Sequence, residues 1–430
     1  MINKEILARI ILDFNKIKLP DIIVRDLKIN LEIPIKRAIA ILGPRRSGKT
    51  YYLYSLINKL QKKGIKRESI LYVNFEDPKL VGARLEDLAA LIDVFFEIYP
   101  ENRNKKIWLF FDEIQNISQW EIFVRNILDK EKAQIFITGS SSKLLSKEIA
   151  TSMRGRTLSY LILPFSFKEF LRAKNIKYKK YLSSGDKEKI LNAFRKYFSS
   201  GGYPETILYP REKEKIIKEI IEVTIYRDLI ERYGIRNIKI IRLMFNYLIK
   251  AKEFSTHQFY NFLKSMNIKV SKNTLYNYLE LFSDAFIFFQ LKKFSFSLKK
   301  IEQSMPKIYI IDNAFISEII SEDKGKKLEN LVFLSLLRKG YKNNENIFYY
   351  VNGKEIDFLI KEKNKIKLLI QVCYDITDFA TKKREVGALI KASEKLKCNN
   401  LLIITSDYEN EEKIKNKKIK FIPLWKWMLE

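Results

Sequence analysis

The chain contains an eight-residue pattern, G-x-x-x-x-G-K-T, that could cradle the phosphates of a nucleotide. Its residues are Gly43, Pro44, Arg45, Arg46, Ser47, Gly48, Lys49 and Thr50. An apolar, strand-like run (38–42) precedes the loop and a helix-like segment (51–60) follows it, and this context makes the match specific. Backbone N–H groups and a helix N-terminus attract phosphate, while Lys49 would reach the β- and γ-phosphates and Thr50 would bind Mg²⁺. The pattern predicts binding of ATP or GTP.

An acidic pair, Asp112 and Glu113, follows a second apolar run at 107–111. Open α/β sheets place their ligand crevice at the carboxyl ends of their strands, so the pair is expected beside the phosphate loop. Asp112 would hold the Mg²⁺ ion, directly or through water, and Glu113 would polarise the attacking water as general base. A further strand candidate, 70–75, lies between the loop and the pair. This order predicts nucleotide hydrolysis as well as binding.

Polar residues end another apolar run, 133–137, and continue from Thr138 through Ser140 to Ser142. Side chains at such a strand tip can sense the γ-phosphate or orient the attacking water. We predict this role for Thr138. For the serines, a turn that caps the next helix is an equally good interpretation.

Two arginines, Arg154 and Arg156, follow a helix-like segment at 143–153 and precede a strand candidate at 157–163. A guanidinium offered to a transferring γ-phosphate accelerates phosphoryl transfer strongly. Either arginine could act as such a finger in the site of a neighbouring subunit, which would imply a homo-oligomer. An exposed basic turn and a contact with DNA phosphate are the alternatives.

The bulk composition indicates a globular protein with an anionic partner. Lys and Arg number 80 against 51 Asp and Glu, a formal net charge of +29. Such an excess favours DNA or RNA, ahead of an anionic membrane surface, although a Lys-rich proteome would also produce it. The two cysteines, Cys373 and Cys398, exclude a disulfide framework or a Cys-based zinc site. Without a signal-peptide pattern or a membrane-spanning apolar run, we expect a cytoplasmic protein with no membrane partner.

The order of these motifs resembles the AAA+ division of P-loop ATPases. It is more closely similar to the archaeal and bacterial ATPases that join an AAA-type domain to a C-terminal restriction-endonuclease-like domain. Besides the phosphate loop, the resemblance rests on Asn74-Phe75-Glu76-Asp77, Phe111-Asp112-Glu113-Ile114-Gln115, Thr138-Gly139-Ser140-Ser141, Arg154-Gly155-Arg156, Pro164-Phe165-Ser166-Phe167-Lys168-Glu169-Phe170 and Gly201-Gly202-Tyr203-Pro204-Glu205. It implies ATP hydrolysis, with ATP and Mg²⁺ as cofactors.

We therefore expect an α/β protein made of four parts. The first, 1–170, is a P-loop AAA-type ATPase domain, and the second, 171–245, is a helical lid or linker. A winged-helix-like domain (246–316) follows. The last part, 317–430, is an α/β restriction-endonuclease-like domain with a degenerate active site.

The third part has the element order of a winged helix-turn-helix. Its pattern predicts two short helices and then two strands, at 257–264, 272–281, 286–294 and 307–311. In that fold the second helix enters a major groove and the hairpin contacts phosphate. The DNA-contact candidates are Lys272, Asn273, Thr274, Asn277, Lys292 and Lys293. Winged helices also pack against other domains and dock proteins, which is the alternative.

The last part resembles the PD-(D/E)XK nuclease fold, whose chemistry needs carboxylates for a divalent metal and a lysine beside them. Glu329 and Asp357 match the helix and first-strand acidic positions. Gln371 stands at the second-strand acidic position and Cys373 at the lysine position. A missing carboxylate weakens metal binding and a missing cation removes transition-state stabilisation, although neighbouring Lys367 or Asp375 could substitute. The pattern favours a module retained for binding or structure over one that cleaves DNA.

The leading hypothesis is a Mg²⁺-dependent ATPase that couples nucleotide binding and hydrolysis to a DNA-associated task. One alternative is a nucleotide-gated regulator that docks protein or DNA with little turnover. The other is an ATP-regulated DNA nuclease.

Overall fold

The computed structural model describes residues 2–140, 151–179, 181–320 and 322–430. These residues form two compact units, Met1–Leu163 and Pro164–Glu430. The finer boundaries expected at 170, 245 and 316 stay predictions. Within the described residues, no helix combines the length and the apolar character that a membrane crossing demands.

A five-stranded parallel sheet forms the centre of the N-terminal unit, with the strand order β2-β3-β4-β1-β5. The strands are β1 Ala38–Leu42, β2 Ile70–Asn74, β3 Ile107–Asp112, β4 Ala133–Gly139 and β5 Thr157–Leu161. The first four are buried almost throughout, as near-continuous apolar runs in parallel sheets usually are. Because β3, β4 and β1 are neighbours and parallel, the residues that follow them meet at one edge of the sheet.

Helices pack on this sheet in the N-terminal unit. They are α1 Lys4–Lys16, α2 Lys49–Lys62, α3 Leu85–Ile98 and α4 Trp120–Lys130. The apolar residues of α2 recur at helical spacing, so one face is buried in a core cluster with β1 through Tyr52, Leu53, Leu56, Ile57 and Leu60. The core therefore fixes α2 directly behind the phosphate loop.

The first part of the C-terminal unit is helical, as the sequence predicts. Its helices are α5 Phe167–Ala173, α6 Ser184–Ser200, α7 Pro204–Leu208, α8 Lys213–Val223, α9 Ile238–Lys250, α10 Thr256–Ser265 and α11 Lys272–Asp284. A π-helical segment, Thr224–Glu231, continues α8. An antiparallel hairpin then pairs β6 (Phe288–Leu291) with β7 (Lys307–Ile310), and its connection contains the short helix α12, Leu298–Glu302. The predicted order of two helices and a hairpin is thus present.

A six-stranded mixed sheet with the order β12-β13-β11-β10-β9-β8 occupies the rest of the unit. Its strands are β8 Ile347–Asn352, β9 Lys354–Glu362, β10 Lys365–Cys373, β11 Leu401–Thr405, β12 Asn410–Ile414 and β13 Lys417–Pro423. The accompanying helices are α13 Asn313–Ile319, α14 Lys324–Arg338, α15 Phe379–Leu396 and α16 Leu424–Leu429. Antiparallel β9 and β10 place Asp357 and Gln371 on adjacent strands.

The predicted elements agree closely with the observed ones, with two differences. The strand expected at 286–294 is shorter at both ends, Phe288–Leu291, and it does not begin earlier because Phe286 adopts a left-handed backbone that interrupts an extended chain. Most of the helix expected at 143–153, together with Ser141 and Ser142, lies outside the described residues.

Candidate functional site

The phosphate loop connects β1 to α2 in a conformation whose hydrogen-bond donors suit an anion. Gly48 has a φ of 92°, a left-handed backbone that glycine adopts without strain, and no side chain caps the first turn of α2. The Ser47 hydroxyl is fully buried and has no hydrogen-bond partner among the described residues. A Cβ on Gly43 would lie 2.1 Å from the carbonyl oxygen of Ile162, so this position requires glycine. The loop therefore fits a bound phosphate group.

Lys49 and Glu113 form a buried ion pair at the base of the loop. The Lys49 Nζ lies 3.0 Å from Glu113 Oε1 and 3.3 Å from the carbonyl oxygens of Gly43 and Pro44. Burial opposes ionisation of Glu113, but the Lys49 ammonium, aided by a hydrogen bond from Gln115, holds the pKa of Glu113 below its usual range. Glu113 is thus ionised at neutral pH, as a general base must be.

Asp112 is the centre of a hydrogen-bond cluster at the same edge of the sheet. Thr50 Oγ1 donates to Asp112 Oδ2 at 2.6 Å, and the Tyr72 hydroxyl donates to the same oxygen at 2.9 Å. Thr138 donates to the other oxygen, Oδ1. Burial and the adjacent Glu113 raise the pKa of Asp112, while the hydroxyl donors lower it. The structure thereby brings together Thr50 and Asp112, whose oxygens are the ligand type that Mg²⁺ prefers.

Thr138 also fixes the backbone that carries the general-base candidate. Its hydroxyl oxygen accepts a hydrogen bond of 2.8 Å from the Glu113 N–H while its proton goes to Asp112. Glu113 has a φ of 53°, an uncommon left-handed conformation for a non-glycine residue. The Gln115 side chain donates to Glu113 Oε2 at 2.5 Å. These contacts hold the Glu113 carboxylate towards Lys49.

The two candidate finger arginines lie on the turn before β5. Arg154 is exposed and has a left-handed φ of 48°. Arg156 forms an exposed ion pair with Asp129 of the same unit, and its Nη1 lies 2.5 Å from Asp129 Oδ1. Their assignment as fingers stays a prediction.

Two contributors to this site were missed by the motif search. Tyr72 lies in a predicted strand, but nothing in the sequence indicates that its hydroxyl reaches Asp112. Arg25 lies in the irregular segment between α1 and β1, where its Nη1 donates to the Ser47 carbonyl at 2.8 Å and its Nη2 to the Leu163 carbonyl at 2.5 Å. Arg25 thus fastens the phosphate loop to the last residue of the N-terminal unit.

The candidate nuclease residues lie in the C-terminal unit, where Glu329 and Asp357 do come together. They share a buried lysine, Lys307, whose Nζ lies 2.9 Å from Glu329 Oε1 and 3.0 Å from Asp357 Oδ1. Glu355 Oε1 is a third carboxylate oxygen, 2.9 Å from the same ammonium. Burial alone would lower the pKa of Lys307, but the surrounding carboxylates raise it well above the ordinary value. The motif has Cys373 at its lysine position, and the cation that contacts these two carboxylates comes instead from β7.

The Gln371 side chain is hydrogen-bonded to neighbouring protein groups, and the Cys373 thiol is not ionised. The Gln371 amide oxygen accepts from the Asp357 N–H at 3.3 Å and its amide nitrogen donates to Glu385 Oε2 at 2.5 Å. Burial raises the pKa of the Cys373 thiol to about 11, so it is protonated at neutral pH. The two substitutes considered above are engaged elsewhere, since exposed Lys367 pairs with Glu362 and Asp375 accepts from Thr377.

The DNA-contact candidates on α11 present an exposed surface. Lys272, Asn273 and Asn277 are exposed, whereas Thr274 is half-buried and its N–H bonds the Ser271 hydroxyl that caps the helix. On the hairpin, Lys292 pairs with Glu302 at 2.6 Å. The Lys293 N–H donates to the Ser304 hydroxyl at 3.2 Å. Their contact with DNA stays a prediction.

Comparison with known families identifies the N-terminal domain. Residues 35–171 match the family described as AAA domain (AAA_14). Together with the parallel sheet, this match shows a P-loop ATPase-like domain at the N-terminus. Two families described as domains of unknown function, DUF8612 and DUF4143, match residues 191–325 and 324–427.

Full-length relatives decide the family of the whole chain. The Methanocaldococcus jannaschii protein described as uncharacterized protein MJ1544 is 45% identical over 443 residues, which covers 100% of this chain and 96% of the relative. This chain belongs to the MJ1544 family. A Haemophilus influenzae protein, also described as uncharacterized, is 30% identical over 392 residues, 90% of this chain and 93% of its own length. In the MJ1544 family both units thus occur together in one polypeptide.

Similar solved structures include the Walker-type ATPase PABY2304 of Pyrococcus abyssi, at 13% identity and a TM-score of 0.43, covering 74% of this chain and 96% of that one. The structure of the Aeropyrum pernix ORC1 protein in complex with DNA has 13% identity and a TM-score of 0.29. This match covers 67% of this chain and 87% of that one. The ATPase-like assignment of this MJ1544-family protein rests on the AAA domain match and the strand order.

Replacing Glu113 by Gln should strengthen ATP binding, because the carboxylate competes with the phosphates for the Lys49 ammonium. We expect the Kd for ATP to fall by about tenfold, equal to ~1.4 kcal/mol, while turnover is lost with the general base. Titration with a fluorescent ATP analogue measures this affinity, and Glu86→Gln, an exposed position on α3, is the matched control. An unchanged or weaker affinity would show that the ion pair does not compete with nucleotide.

Replacing Arg25 by Ala should weaken nucleotide binding, because the Ser47 carbonyl loses the donor that fixes the loop. Hydrogen bonds from charged donors contribute about 1.5–3 kcal/mol, so a loss of affinity of about tenfold or more is expected. Arg25→Lys should lie between wild type and Arg25→Ala, because an ammonium can reach only one of the two carbonyls well. The same titration measures it, with exposed Arg9→Ala as control. Equal affinity in all four proteins would remove Arg25 from the site.

Proposed function

We propose that this protein is a Mg²⁺-dependent ATPase whose turnover serves a DNA-associated task. The observation that supports the ATPase part most is the convergence of Thr50 and Thr138 on Asp112, next to the Lys49–Glu113 pair. A metal-ligand pair, a phosphate-binding lysine and an ionised general base thus lie together at the carboxyl edge of one sheet. This is the set of groups that nucleotide hydrolysis requires.

Each residue has a separable task in the proposed reaction. The loop N–H groups and the Lys49 ammonium bind and orient the phosphates, and Thr50 with Asp112 would hold the metal. Mg²⁺, when bound, supplies charge neutralisation for the phosphoryl group. Thr138 keeps Glu113 in position through its backbone N–H, and Glu113 accepts the proton of the attacking water. Phosphates in the loop compete with Glu113 for Lys49, so nucleotide binding would release the general base.

The DNA-associated part of the proposal rests on charge and on the helix–helix–hairpin order. The formal net charge of +29 would attract a polyanion. Helix α11 exposes Lys272, Asn273 and Asn277 and is followed by the hairpin that carries Lys292 and Lys293. We assign this region as a winged helix that contacts DNA.

The C-terminal sheet, with α14 against it, fits a module derived from a PD-(D/E)XK nuclease. Glu329 on α14 and Asp357 on β9 converge, as the resemblance requires. The replacement of the second acid by Gln371, which bonds Glu385, favours a binding or structural role over cleavage. We accordingly place DNA cleavage last among the candidate activities.

An assembly of several copies would complete the active site. In this proposal Arg154 or Arg156 reaches the γ-phosphate bound by a neighbouring subunit. The Arg156–Asp129 pair is exposed, so exchanging Asp129 for phosphate costs little.

ATP turnover measured without DNA and with single-stranded, duplex and forked DNA tests the proposed function. We expect Mg²⁺-dependent hydrolysis that at least one DNA form stimulates, and that Lys49→Ala abolishes because the phosphates lose their cation. Lys59→Ala, exposed on the far turn of α2, is the matched control and should hydrolyse ATP normally.

Two other results would redirect the assignment. Nucleotide-dependent DNA or protein docking with negligible turnover would favour the alternative of a nucleotide-gated regulator. Normal hydrolysis by Lys49→Ala would contradict the assigned site, and turnover that no DNA form changes would contradict the DNA-associated task.

A further inference from the structure

Lys307 is the most completely enclosed charged group of the C-terminal ionic cluster. It opens β7, and its side chain is 1% exposed. Oxygens of Glu329, Glu355 and Asp357 lie 2.9, 2.9 and 3.0 Å from its Nζ. One ammonium therefore occupies the point on which three carboxylates from α14 and β9 converge.

A metal-dependent nuclease would hold its divalent cation at such a point, and the residues present do not fit one. The carboxylate oxygens that would bind the metal are bonded to Lys307. Asp357 Oδ2 accepts from the Val372 N–H at 2.9 Å, which leaves Oδ1 for the ammonium. Across the described residues, no group of three or more His, Cys, Asp and Glu side chains is arranged to hold a metal ion.

The cation is also anchored by its neighbours on the hairpin. The Tyr309 hydroxyl donates to Glu329 Oε1 at 2.6 Å, and the Tyr309 ring stacks on Phe333 of α14 with centroids 4.3 Å apart. The Asn330 side chain accepts from the Ile310 N–H at 2.7 Å and donates to its carbonyl at 2.9 Å. Lys307 is thus held by a strand that is itself bonded to α14, and it cannot exchange as a free ion does.

We propose that Lys307 is a built-in counterion that takes the place of the divalent cation and closes the nuclease-like centre to metal. This inference rests on the nuclease-derived C-terminal module proposed above and is independent of ATP hydrolysis. The lysine neutralises part of the carboxylate charge that a metal would otherwise neutralise, and it ties the hairpin to α14 and β9. The C-terminal module is therefore assembled without metal.

Mn²⁺ binding by the full-length protein, followed by electron paramagnetic resonance without nucleotide, tests the proposal. Four proteins are compared: wild type, Asp357→Asn, Lys307→Ala and the double variant Lys307→Ala/Asp357→Asn. All four share the same N-terminal site, so Mn²⁺ bound near Thr50 and Asp112 is common to them. We expect equal Mn²⁺ stoichiometry in wild type and Asp357→Asn. Lys307→Ala should gain about one further ion per chain, and the double variant should lose it, because Glu329 and Asp357, left without the Lys307 ammonium, attract a divalent cation.

Two outcomes would overturn the proposal. A lower Mn²⁺ stoichiometry in Asp357→Asn than in wild type would show that the centre binds metal with Lys307 present. A folded Lys307→Ala protein that gains no ion would make Lys307 a structural residue only. If Lys307→Ala does not fold, the comparison of wild type with Asp357→Asn still decides whether the native centre is closed. ATP turnover is measured separately with Lys49→Ala, so a failure of the proposed ATPase is distinguishable.

Discussion

The buried carboxylate of Asp112 is the interaction on which the N-terminal site depends. A carboxylate enclosed in a protein interior destabilises the fold by several kcal/mol unless donors surround it. Here Thr50, Tyr72 and Thr138 donate to it, and they belong to α2, β2 and β4. The hydrogen bonds to this one carboxylate, which lies at the end of β3, therefore fix the helix behind the phosphate loop relative to the three neighbouring strands β2, β3 and β4. In the same structure Lys49 lies against Glu113.

Both units enclose a lysine among oxygen acceptors, but the two arrangements have different consequences. Lys49 is held by one carboxylate and two carbonyl oxygens on a glycine-containing loop, so a polyphosphate can replace these partners. Lys307 is held by three carboxylates and lies on a strand that is bonded to a neighbouring helix. The first arrangement is suited to exchange with a ligand, and the second to permanent structure. This contrast favours the phosphate loop over the C-terminal ionic cluster as the proposed catalytic centre.

The features that could be predicted from the sequence are those whose residues are close together in the chain. The strand, loop and helix around Lys49 are contiguous, and Asp112, Glu113 and Thr138 directly follow apolar runs, so periodicity and motif spacing locate them. Arg25 could not be predicted in this way, because its two acceptors lie 22 and 138 residues away and no pattern marks the segment that carries it. Lys307 lies 50 residues from Asp357 and in a different element, so the motif spacing, which places a lysine at position 373, does not mark it. Tertiary contacts between separate elements decide such positions.

Single-turnover hydrolysis of Mg²⁺–ATP by excess protein tests the central claim most directly when wild type is compared with Asp112→Asn. The amide nearly preserves the shape of the carboxylate and can accept some of its hydrogen bonds, but it removes the charge assigned to the metal. Asp112→Asn should still bind ATP and cleave it at a rate at least about a hundredfold lower, a difference of ~2.7 kcal/mol in the activation free energy. Hydrolysis at the wild-type rate would contradict the assignment of Asp112 and of the cluster built around it.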